Sequence, residues 1–273
     1  MLRLESATGW WLTTHPDHAR LAAAFAEHWS NELFARPEPR DRVLKGIAVH
    51  DDGWAARDAA PQITKQGKPS AFSSELVGKY SAFEEIDLAG YLAIRDRAVR
   101  LVAEEDAYAA LLVSMHTYNL LTERADRSTI AAEQLPLLDE FLAEQKSLQE
   151  KLYSSIQQEG KLRADEKSRT GVDDHFKLLQ ACDNLSLLSC VDYDKPATLL
   201  HALRVKDGSV TPISVEPLGE RHFRLSPFPL GVSPLMVEFP ARHVEGKVFA
   251  SAADLQEQYV AAPVTTLSVT LSR

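Results

Sequence analysis

Apolar residues fall at helical spacing through roughly the first 190 positions, and after that in short runs separated by turn residues. Near the start, Trp10-Trp11-Leu12-Thr13-Thr14 suits a short strand within residues 6–14. The pattern then predicts a helix from about Pro16, with proline in the first turn and Asp17 at the positive end of the dipole. A second helix is expected over about 41–51. The stretch 53–81 reads as a long loop punctuated by Pro61, Gly67, Pro69 and Gly78. Helices are expected again over about 87–104, 106–123, 133–159 and 172–191, with a charged loop between the last two. Beyond Asp192, Asp207-Gly208 signals a hairpin between 199–205 and 210–215. Further strands are expected near 222–225, 235–239 and 265–271, with a capped helix start at Ser251. The expected architecture is therefore mainly α, a helical body over residues 1–191 with a C-terminal β-rich extension over 192–273 packed on it.

Composition changes this picture little. The chain has 273 residues, 45% hydrophobic and 25% charged, which suits a globular protein with a sizeable core. A net charge of −9 argues against a nucleic-acid polymer as partner. No apolar run reaches the length of a membrane span, and the first residues lack an apolar signal region, so a cytoplasmic protein without a membrane role is the expectation. Homo-oligomers are open. Cys182 and Cys190 lie on one helical stretch about 12 Å apart, too far for a disulfide, and are expected as buried thiols.

The chemistry starts at His50-Asp51-Asp52-Gly53, which closes the apolar run 43–49. An imidazole beside a carboxylate at the end of a buried helix is costly unless paired, and a metal ion pairs both. His18 sits in the first turn of the first helix, and His116 lies inside a middle helix. Asp183 stands among apolar neighbours on the last, in Leu179-Gln180-Ala181-Cys182-Asp183-Asn184-Leu185. A carboxylate on the buried side of a helix asks for a partner or a metal.

The order His18, His50-Asp51, Asp183 on separate helices resembles the HD-domain superfamily, all-helical proteins that hold a divalent metal with a His, a His-Asp doublet and a distant Asp. At finer grain the chain is similar to DUF3891, a family of unknown function. The likeness is carried by Ala48-Val49-His50-Asp51-Asp52-Gly53-Trp54, Asp58-Ala59-Ala60-Pro61 and the Asp183 segment. The HD resemblance implies an HD-type helical bundle and a phosphohydrolase acting on a small phosphate ester or nucleotide. It also implies His18, His50, Asp51 and Asp183 as ligands of Mn, Fe, Ni or Zn, with two ions as an alternative. Asp51 and Asp52 are the expected catalytic carboxylates, Asp52 as a proton shuttle or as the way the helix ends.

Several side chains are weighed beside these. His116 is either a hydrogen-bonded core histidine or a contact to a second metal or to phosphate. Lys45 and Arg20 are expected at the rim, Lys65 and Lys68 on a loop that closes over the site, and Trp54 and Phe72 as pocket walls or core. His175 and His28 are too far along their helices to join, His15 reads as a capping or surface residue, and Asp58 as a loop anchor. Two rival readings are a di-iron oxygenase on the same helices and a non-catalytic metal- or ligand-binding regulator.

Overall fold

The computed structural model describes residues 1–83 and 87–273. Helices hold 47% of the residues and strands 20%, with seven strands in one curled sheet. The fold is therefore α+β with a half-barrel, and the expectation of a mainly helical HD bundle is corrected. The strands are β1 (Leu2–Glu5), β2 (Gly9–Thr13), β3 (Ala197–Thr198), β4 (Leu203–Arg204), β5 (Val210–Thr211), β6 (Ser214–Gly219), β7 (His222–Ser226), β8 (Leu235–Glu245) and β9 (Val264–Ser272). The helices are α1 (His15–Glu27), α2 (Arg40–Val49), α3 (Ala55–Asp58), α4 (Leu88–Ala103), α5 (Ala107–Thr122), α6 (Leu135–Gln158), α7 (Arg169–Cys190) and α8 (Ala252–Ala261).

The large sheet runs β1-β2-β8-β9-β7-β6-β3, antiparallel throughout except for the β7–β9 pair. The N-terminal segment makes two paired strands, and the second pairs with the chain's far end, Gly9 opposite Glu245 and Leu12 opposite Arg242. Gly9 permits this approach, since a Cβ there would overlap the Val244 carbonyl. The Asp207-Gly208 hairpin forms, but only as the short β4–β5 pair. The downstream half of the expected strand, β6, joins the large sheet instead.

One apolar core joins both layers. It holds Phe25, Ile47, Leu112, Leu179 and Leu185 from the helices and Leu2, Phe223, Leu225, Val269 and Leu271 from the sheet. Full burial of each such side chain stabilises the fold by about 1.5–3 kcal/mol. Within the helical layer α5 is buried on nearly every face, as its almost wholly apolar sequence requires. Around it, α2, α4, α6 and α7 present their inward stripes, with α1 packed on α2, α7 and β8. Thr14 caps α1, its hydroxyl accepting from the Asp17 amide. No helix among the described residues is long and apolar enough to cross a membrane.

Candidate metal centre

Five helices converge on a group of buried polar residues. His18 lies one turn into α1, His50 caps α2 and Asp51 follows it. Arg95 comes from α4, His116 from α5 and Asp183 from α7; all six are buried, His50 completely. On α7 the polar positions Gln180, Asp183 and Ser186 recur every three residues and so share one face. That spacing, inside an otherwise apolar segment, is the sequence signal for all three.

His18 Nε2 lies 3.1 Å from Asp51 Oδ2, and His50 Nε2 lies 3.3 Å from Asp183 Oδ1 and 4.0 Å from Asp51 Oδ2. The outer nitrogens are already engaged. His50 Nδ1–H donates to the Ile47 carbonyl at 2.7 Å, satisfying one of the open carbonyls at the end of α2. Ser186 donates its hydroxyl proton to the Asp183 carbonyl at 2.8 Å and accepts from His18 Nδ1–H at 2.9 Å. In the neutral form both rings therefore turn a lone pair on Nε2 toward carboxylate oxygens. His50 Nε2 is buried with no hydrogen-bond partner among the described residues. Two lone pairs facing two carboxylates repel unless a cation lies between them, either protons on the rings or a metal.

The charges follow from this crowding. Burial works to lower the His50 pKa, but Asp51 and Asp183 outweigh it and raise it above 6.5. Burial works against the Asp51 carboxylate, yet the Arg95 guanidinium and the histidines hold it well below the ordinary range. Asp183 is lowered too, burial being overcome by His50. His116 goes the other way: burial, then the positive His50, push it to about 3, so it is neutral at any ordinary pH.

His18, His50 and Asp51 form one group with ligand atoms within 4.8 Å of one another, and His50, His116 and Asp183 form another. These groups share His50. The donor set fits a divalent ion: two or three imidazoles, two carboxylates, and outer nitrogens that donate to a carbonyl and a hydroxyl. His116 is the conditional member. Gln180 Nε2 donates to its Nδ1 at 2.8 Å, which leaves the ring proton on Nε2. Turning the amide end for end puts that proton on Nδ1, frees Nε2 and gives the orphaned Gln180 Oε1 a partner.

Arg95 is the residue that sequence reasoning missed. Its Nη1 donates to Asp51 Oδ1 at 2.5 Å, which leaves Oδ2 for the centre, and its Nε donates to the Tyr91 hydroxyl at 3.3 Å. It sits in an ordinary amphipathic helix with many charges, and only the tertiary fold singles it out.

The chain belongs to the DUF3891 family of proteins of unknown function. The family model matches residues 1–246, which include every residue of the cluster. No curated protein and no solved structure matches the chain.

The other expected site residues lie elsewhere. Asp52 faces outward, its carboxylate held in a fork by Arg20 at 2.6 and 2.9 Å. Lys45 pairs with Glu105 at 2.7 Å on the surface. Lys68 lies over the Trp10 ring. His175 bonds the Tyr108 hydroxyl at 2.7 Å, and His28 ends α1. Trp54 does stand beside the cluster, 5.3 Å from the Arg95 guanidinium and stacked on His15 at 4.6 Å. His15 and Asp58 pair at 3.0 Å next to it, and Cys182 and Cys190 are buried free thiols.

Proposed function

We propose that the cluster, a ligand set in the HD order carried on a different fold, is the metal centre of a metal-dependent phosphohydrolase acting on a small phosphate ester or nucleotide. His18, His50, Asp51 and Asp183 are its ligands, and His116 is a further contact. The observation that carries this reading is His50 Nε2, a buried nitrogen with no hydrogen-bond partner among the described residues, whose ring is already fixed by the Ile47 carbonyl and which lies 3.3 Å from Asp183. A divalent ion bound there supplies polarisation of a phosphoryl oxygen and a lowered pKa for a bound water.

The chain's own residues supply the remainder. The Ile47 carbonyl holds His50 and the Ser186 hydroxyl holds His18 by their outer nitrogens, which fixes both rings. Arg95 pins Asp51 in one orientation and adds a fixed positive charge. Two carboxylates, one guanidinium and a divalent ion leave the loaded centre with one positive charge, which favours an anionic substrate. Asp52, tied to Arg20, stands outside this group and acts on the end of α2 rather than on the centre. The overlapping His50-His116-Asp183 group shares the one free nitrogen of His50, so it offers His116 as a further contact to the same ion; a second ion would have to bind without His50.

Elemental analysis tests the site directly. Purified protein is expected to carry about one divalent metal per chain, and His50→Ala and Asp183→Ala to lose most of it. Normally folded variants with full metal would remove the assignment. Loaded protein that hydrolyses none of a broad panel of phosphomonoesters and nucleotides would leave a binding protein in its place.

A further inference from the structure

Beside the cluster lies a cavity of about 310 Å³, at the lower end of ligand-pocket sizes. His15, Trp54, Arg57, Phe72, Tyr91 and Arg95 form the walls that matter here. Two of them touch the centre. Arg95 reaches Asp51 from its other side, and the His15 ring is 5.9 Å from the His18 ring. A molecule in the cavity therefore ends within one side chain of the ligands.

The walls are flat and positive. His15 and Trp54 stack at 4.6 Å with their planes 25° apart, and Tyr91 meets Trp54 edge-on at 5.5 Å. Arg95 lies over both Trp54 and Tyr91, and Arg57 lies over Trp54 at 5.9 Å. Arg57 is exposed and has no carboxylate partner among the described residues. The one carboxylate in the wall, Asp58, is already engaged by the His15 amide, the His15 ring and the Met1 nitrogen. The Trp54 indole Nε1 is buried without a hydrogen-bond partner among the described residues. Unpaired positive charge beside aromatic faces suits an anion attached to a flat ring.

We propose that this cavity is the substrate chamber, and that the substrate is a phosphomonoester whose alcohol is a flat ring. The ring lies against Tyr91 and the part of Trp54 that His15 and Arg95 leave uncovered, and Arg57, which has no carboxylate of its own among the described residues, draws in the phosphate. This rests on the phosphohydrolase reading and narrows it to a substrate class.

Calorimetric titration of the metal-loaded protein with phenyl phosphate and with inorganic phosphate tests it. Phenyl phosphate is expected to bind about tenfold tighter than phosphate, and Trp54→Ala to abolish that difference. Arg57→Ala, a surface change that leaves the fold alone, is expected to weaken both about tenfold at unchanged metal content. Equal affinities in the wild type, no binding of either, or unchanged affinities in Arg57→Ala would overturn the chamber. If phenyl phosphate binds with both dependences but is not cleaved, the chamber stands and the phosphohydrolase reading falls. If phosphate esters are cleaved while both variants behave as wild type, the reverse holds.

Discussion

Replacing Arg95 with Met keeps most of the apolar stem and removes one buried charge. Asp51 then keeps its carboxylate in a site about as dry as the core, with its 2.5 Å partner gone. Removing one member of a buried pair costs about 3–5 kcal/mol, because the other charge remains uncompensated. Loss of the contacts to Trp54 and Tyr91 adds to this. For a chain of this size each kcal/mol moves Tm by about 2–4 °C, so the variant is expected to melt about 10 °C lower in chelator. A divalent ion supplies the missing positive charge from the other side of Asp51, so it should recover much of that loss. At about a hundredfold excess over Kd, ion binding alone adds about 2.7 kcal/mol. Thermal unfolding followed by circular dichroism, with chelator and with Mn²⁺ or Zn²⁺, measures both effects. A variant within about 1 °C of wild type in chelator, or one that the ion fails to stabilise, would refute the reasoning.

Other changes follow from the same geometry. His116 is held neutral down to about pH 3, whereas the unfolded chain protonates it below 6.5. It therefore destabilises the fold as pH falls, by about 2 kcal/mol at pH 5. His116→Gln should flatten urea-unfolding stability between pH 7 and 5, and an unchanged slope would contradict this. His50 has the opposite sign: its raised pKa stabilises the metal-free fold below 6.5, and that contribution fades as pH rises through the folded value. Metal uptake should accordingly release a proton from His50, detectable as a buffer-dependent heat of binding. Gly53→Ala would set a Cβ 2.3 Å from the Ile94 carbonyl and push the turn carrying Trp54 off α4. A loss of about 1–3 kcal/mol is expected by denaturant titration. Cys182 and Cys190 are buried, with thiol pKa values raised by that burial. They should resist thiol reagents until the protein unfolds, and rapid labelling of the native form would count against the packing.

The helices were legible because each carries its own periodicity and caps. Ser251 before α8 accepts an amide hydrogen as the sequence foretold, and Thr14 before α1 and Asp106 before α5 do the same. The cluster was legible for a related reason. A histidine or aspartate among apolar residues on a helix is conspicuous, and four such residues on separate helices can meet only inside. The sheet was less so. β2 pairs with β8 across 230 residues or more, and β7 lies parallel to β9, pairings that no local pattern encodes. For Asp52 the sequence left two roles open, and the structure places it on another side of the turn from Asp51, paired with Arg20.

By itself the sequence showed where helical periodicity runs, and which side chains, His50, Asp51 and Asp183 among them, cannot be left alone in a core. Those are properties of neighbouring residues, set by spacing and by the cost of burying polar groups. Only the tertiary structure decided that a half-barrel closes on the helices, that Arg95 is the charge behind Asp51, and that His15, Trp54 and Arg57 wall a chamber beside the centre. Each depends on which distant segments touch, and that is decided by the whole packed core.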